Sequence, residues 1–89
     1  MQTTKFVKQP VAVSVIVEKD GRVFPRKFLW KDGHTYKIDR ITRVERAAST
    51  KVGGCGIRYT VMVEGLPRYL YDEEGKWFME DEVVIEVNG

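Results

Sequence analysis

One cysteine and one histidine set the limit on the covalent and metal chemistry open to this chain. Cys55 lies in 51-KVGGCGIRYT-60, among three glycines. A cysteine attacks as its thiolate, and needs a base, a helix N-terminus or local cations to lower its pKa. His34 follows Asp32 and Gly33 in a turn, and no Asn or Asp is recognisably placed to orient it. The glycines have a mechanical reading instead: they let a loop reverse and enter a strand at 57–64, through a bulge. Cys55 is therefore read as a loop position, and the chain as a non-enzyme without a catalytic residue.

Metal and phosphate chemistry are equally poorly provided for. One Cys and one His make no tetrahedral zinc site without carboxylates. The acidic runs Asp72-Glu73-Glu74 and Glu80-Asp81-Glu82 lack the alternating ligands and central glycine of a calcium loop. They read as solvated turns that discourage sheet edges from pairing with other chains. The KVGGCG glycines are not followed by GK[ST] and lead into a strand, so the helix-terminal amides of a phosphate cradle are missing. No metal and no cofactor are expected.

The basic residues are the remaining constellation. Arg26, Lys27, Arg40, Arg43, Arg46, Lys51 and Arg58 fall on the second to fourth predicted strands or on the loop joining them. Phe24, Phe28, Trp30, Tyr36 and Tyr59 lie among them. Arginines on an exposed strand face, interleaved with aromatics, could bind single-stranded nucleic acid by phosphate contacts and stacking. The competing reading puts the aromatics in the core and the arginines in solvent. Charge along the chain is uneven. Residues 1–60 carry 13 Lys+Arg against 5 Asp+Glu, a surplus of eight positive charges. Residues 61–89 carry 2 against 8, a surplus of six negative ones. This split suits either a basic surface for an anionic partner or two halves that pair with each other.

The elements that must position these residues are strands. At 89 residues there is room for one domain, and 43% hydrophobic with 31% charged residues is ordinary for a globular chain. Val11, Val13, Val15 and Val17 fall on one face with Ala12, Ser14 and Glu18 on the other, and Ile57, Tyr59, Val61 and Val63 alternate with Arg58, Thr60, Met62 and Glu64. Both runs are rich in β-branched residues and read as half-buried strands. KDGR (19–22), KDGH (31–34) and DEEGK (72–76) supply the turns. In 22–30, Pro25 predicts an edge strand or a bulge, with Phe24, Phe28 and Trp30 facing the core together. Residues 34–49 read as one long strand bulged near Asp39–Arg40, with a helix over 39–48 as the alternative. YLY, KWFME and VVIEV read as three short strands. The first ten residues show no pattern and read as a mobile segment ahead of a single domain at 11–89. The expected fold is all-β: five to seven short antiparallel strands in a strongly bent sheet or an SH3-like barrel. No apolar run is long enough to cross a bilayer, no leader is visible, and a single cysteine allows no internal disulfide, so a cytoplasmic location is expected.

The segments WKDGHTYKID, KVGGCGIRYT and YLYDEEGKWFME resemble a group of small uncharacterised bacterial proteins, many from Clostridia and their relatives. The matching positions are Phe28, Trp30, Gly33, Tyr36 and Ile38, then Lys51, Gly53, Gly54, Gly56, Ile57, Arg58, Tyr59 and Thr60. Tyr69, Leu70, Trp77, Phe78 and Glu80 complete them. The similarity spans 11–81, and its GG-x-GIRYT element is fairly specific. In that group the position of Cys55 varies, which the resemblance sets against a nucleophile. A more distant similarity is to small actinobacterial proteins sometimes encoded near translesion DNA polymerases. The resemblance implies a β architecture and no assigned activity.

Two functional expectations follow. The first is a non-enzymatic binding module that takes nucleic acid on the basic face of strands two to four. The second is a protein-interaction or self-associating domain that uses an open sheet edge or the 83–87 segment for strand addition. Arg58 is expected to bridge to Glu45 or Glu64, or to stay free as a fork for phosphate or carboxylate.

Overall fold

The computed structural model describes residues 1–49 and 51–88, and every regular element in them is a strand. In chain order these are β1 (Gln2–Pro10), β2 (Ala12–Val17), β3 (Val23–Leu29), β4 (Thr35–Lys37), β5 (Arg40–Ala48), β6 (Cys55–Val63), β7 (Leu66–Glu73) and β8 (Lys76–Glu86). The all-β expectation is met, with two corrections. Among the described residues there are eight strands, and they form two open antiparallel sheets in place of a closed barrel. The larger sheet runs β1-β8-β7-β6-β5 and the smaller β2-β3-β4.

The extra strand is β1. Residues 2–10 lack apolar alternation, yet they pair along β8 from Gln2↔Glu86 to Pro10↔Phe78. KWFME and VVIEV merge into this one 11-residue strand. The backbone ladder, not side-chain burial, holds β1, so periodicity missed it.

Residues 34–49 are extended but divide into β4 and β5, which belong to different sheets. The crossing occurs at Ile38 and Asp39: Ile38 N donates to Arg26 O, and Asp39 N to Met62 O. The helix alternative is excluded. The bulge falls at Thr42, not at Asp39–Arg40, and its hydroxyl donates to Thr60 O at 3.3 Å.

A second bulge lies in β3, where Arg26 is the unpaired extra residue between Pro25 and Lys27. Its effect is to reverse parity. Pro25 and Phe28 are therefore buried while Phe24 is only half-buried under Arg22, and the expected shared face of Phe24, Phe28 and Trp30 is broken. Alternation holds for Val13 of β2 and for Val11 just before it, which pack on the core; Val15 and Val17 are exposed.

The core between the two sheets is Phe28, Ile38, Tyr59, Val61, Val63, Leu70 and Met79, flanked by Trp30, Tyr36, Ile41, Ile57 and Trp77. The GGCG segment covers the opposite face of the larger sheet. There Tyr71 and Phe78 stack at 4.8 Å, and Gly54 lies over the Phe78 ring, where a Cβ would come within 2.5 Å of Cζ. Ser49 is buried beside them and donates to Glu80 Oε2 at 3.0 Å. The middle of the larger sheet is thus covered on both sides.

Candidate functional site

The seven basic residues singled out by the sequence do not form one patch. Arg26 and Lys27 belong to the smaller sheet; Arg40, Arg43, Arg46 and Arg58 belong to the larger one; Lys51 sits on the loop with its ammonium 4.4 Å from the Phe6 ring centre. Within the larger sheet, register places Arg40 (opposite Met62), Arg43 (opposite Thr60) and Arg58 on one face, and Arg46 (opposite Ile57) on the other. Tyr69 shares the face of the first three, and the Arg58 guanidinium lies 4.5 Å from its ring centre.

Part of this charge is already compensated. Glu45 takes Arg58 on one carboxylate oxygen and Arg43 on the other, the latter at 3.0 Å. The hydrogen bond from Arg58 holds the Glu45 carboxyl below its ordinary range, and the same contact raises Arg58. Of the two acidic partners expected for Arg58, the structure supplies Glu45. Two further ion pairs, Lys8–Glu73 at 2.6 Å and Lys31–Asp81, join the basic half of the chain to the acidic half.

Cys55 and His34 are not brought together. Cys55 opens β6 opposite Ala48, and its backbone N–H donates to Glu73 Oε2 at 2.8 Å. His34 closes the turn before β4, in the other sheet, and packs on Tyr36 at 4.2 Å. Several side chains of the acidic runs have structural partners. Asp72 Oδ1 accepts from Gly75 N, Glu73 takes Lys8, and Glu80 and Asp81 point to opposite faces of β8. Among the described residues, no three His, Cys, Asp or Glu side chains converge as metal ligands.

The most distinctive geometry lies between β7 and β8. A two-residue turn, Glu74-Gly75, joins these strands, with φ of 52° and 85°, the positive values of a tight hairpin. A hairpin of this kind ordinarily zips to its ends. Here only Glu73↔Lys76, Asp72↔Trp77 and Tyr71↔Phe78 pair. Beyond Phe78, β8 leaves β7 and runs with β1, while Leu66–Leu70 stay on β6. The larger sheet is split along half its length.

Hydrogen-bonded pairs alternate along an antiparallel ladder, and the residues flanking a two-residue turn form one of them. On β8, the N–H and C=O groups of Met79, Asp81 and Val83 therefore point to β1, consistent with Val11 N donating to Trp77 O at the same edge. Those of Glu80, Glu82 and Val84 point into the split. On β7, Tyr69 and Pro67 face it, and Pro67 has no N–H to offer.

A cavity of about 440 Å³ occupies the split. Phe28, Trp30, Tyr36 and Met79 line its inner side, Leu66 and Arg68 the β7 wall, and Asp81 and Glu82 the β8 wall, with Phe6 and Glu64 at the margins. Four acidic side chains, from Glu64, Glu80, Asp81 and Glu82, line it against one arginine. A more open hollow of about 580 Å³ lies at the corner between β1 and β2, against Trp77 and the Lys8–Glu73 pair.

Sequence reasoning missed the split. Its one signal was Pro67, a residue that cannot complete a ladder and so marks an unpaired edge. No helix among the described residues is long and apolar enough to cross a membrane. No family model, curated protein or solved structure matches this chain.

Proposed function

We propose that this chain is a non-enzymatic interaction module that accepts an extended segment of a partner protein in the β7–β8 split, by strand addition to β8. The observation that carries this reading is the row of backbone groups on Glu80, Glu82 and Val84, left without ladder partners above an apolar cavity floor. A backbone donor or acceptor without a partner is costly when water is excluded, and an added strand satisfies a whole row at once. Selection from a random peptide library displayed on phage tests the proposal. Enriched peptides are expected to shift the amide resonances of Glu80, Glu82 and Val84; enrichment of none, or shifts confined to other strands, overturns it.

A second reading has its own observation. Arg40, Arg43 and Arg58 share a face with Tyr69, which is 45% exposed, and this is the arrangement that phosphate contact and base stacking require. Glu45 weakens it by occupying two of the three arginines. Anisotropy titration with single- and double-stranded oligonucleotides decides the matter. If neither binds at low salt, where phosphate contacts are strongest, the reading fails.

A further inference from the structure

The side chains on the open edge of β8 say what kind of segment would add there. We infer that the split selects an extended segment whose alternate residues are basic and apolar. This rests on the strand-addition reading above and names the partner's chemistry.

The inference starts from the period of two. Side chains of an added strand stand on the same face as the β8 residues they lie opposite. On one face of β8 stand Glu80, Glu82 and Glu86, interrupted only by Val84. On the other face stand Val83 and Ile85, both half-buried, beyond Asp81, which already holds Lys31. Glu80 already accepts from Ser49 and Tyr71, so it is the residues of the incoming strand opposite Glu82 and Glu86 that are matched by Lys or Arg. Those opposite Val83 and Ile85 continue the apolar floor of Trp30, Tyr36 and Met79. Among the described residues, Glu82 has no ion-pair partner, so its carboxylate is open to a cation.

The occupant is a separate segment, not a second copy of this chain paired through β8. Antiparallel pairing of two β8 edges would set glutamates against glutamates, and like charges directly opposite are destabilising. The basic strand β5 is already hydrogen-bonded to β6 and could not enter between two strands as a single layer.

Three capped heptapeptides of alternating composition, Lys/Val, Thr/Val and Glu/Val, are titrated into the full chain and followed by amide resonances and hydrogen exchange. The Lys/Val peptide is expected to bind roughly tenfold more tightly than the Glu/Val peptide, with protection appearing at Glu80, Glu82 and Val84. Its affinity should fall several-fold between about 0.05 and 0.5 M salt. Glu82→Lys, an exposed change that should leave the melting temperature within a few degrees, is expected to remove most of the Lys/Val advantage. If all three peptides bind equally and protect β8, charge selection is overturned and strand addition stands. If none binds, or protection falls elsewhere, both are overturned. A concentration-dependent dimer in light scattering, with the same three amides protected, would overturn the choice of a separate segment.

Discussion

Tyr71 and Phe78 are the last residues to pair across β7 and β8; their rings stack at 4.8 Å with 4° between planes, and past them the two strands part. The stack works as a rivet at the fork. It is held from above by Gly54 and from the side by Glu80, whose Oε1 accepts from the Tyr71 hydroxyl at 3.3 Å. The candidate groove thus begins where the second, smaller core ends.

The open edge is expected to show itself in the free protein by hydrogen exchange. Amides of Asp81 and Val83, bonded to β1, should exchange more slowly than those of Glu82 and Val84, which face the split. Equal protection at all four would mean that the hairpin closes in solution.

Gly54→Ala puts a Cβ against the Phe78 ring, a buried side chain with little freedom to yield. Overpacking of this kind typically costs about 1–3 kcal/mol. A urea midpoint lowered accordingly is expected, and an unchanged midpoint would show that the loop is not seated on the ring.

Leu70→Ala removes a fully buried side chain from the core between the sheets. A loss of about 2–5 kcal/mol is expected in the same measurement. Tyr69→Ala, at the exposed neighbour on the opposite face, should cost much less while exposing Arg58, which it now covers.

Acid should weaken the fold. Arg58 holds the Glu45 carboxyl below its ordinary value, and Lys8 does the same for Glu73, with the Cys55 amide assisting. A carboxyl lowered in the folded state contributes stability above its unfolded pKa, and that contribution is lost as pH falls through the folded value. The loss is expected to begin near pH 4.5 and to continue below it. In the Glu45→Gln, Glu73→Gln double variant, the urea midpoint at neutral pH should be lower and its decline toward pH 3 shallower than in the parent chain.

The strands carrying the interior were legible because burial imposes a period of two: Ile57 to Val63, and Tyr36 with Ile38, lie where alternation placed them. Features that depend on hydrogen-bonded backbone alone were not. β1 pairs with few buried side chains to announce it, and the Arg26 bulge reversed the facing of Phe24 without any local mark beyond Pro25. The basic residues were correctly placed on strands, yet which sheet each strand joins decides whether they meet. That partition turns on the crossing at Ile38–Asp39, a two-residue event with no composition of its own. The split between β7 and β8 is still less visible, since it consists of pairs that do not form.

The joining of β1 to β8 also governs how quickly this chain can reach its native state. Gln2 pairs with Glu86 across nearly the whole chain, so among the strand pairings of the described residues this ladder closes the largest loop. Contacts so distant along the chain slow the search for the folded state. While they are awaited, both edges of β8 are bare, and a segment that suits one of them could engage before β1 arrives at the other.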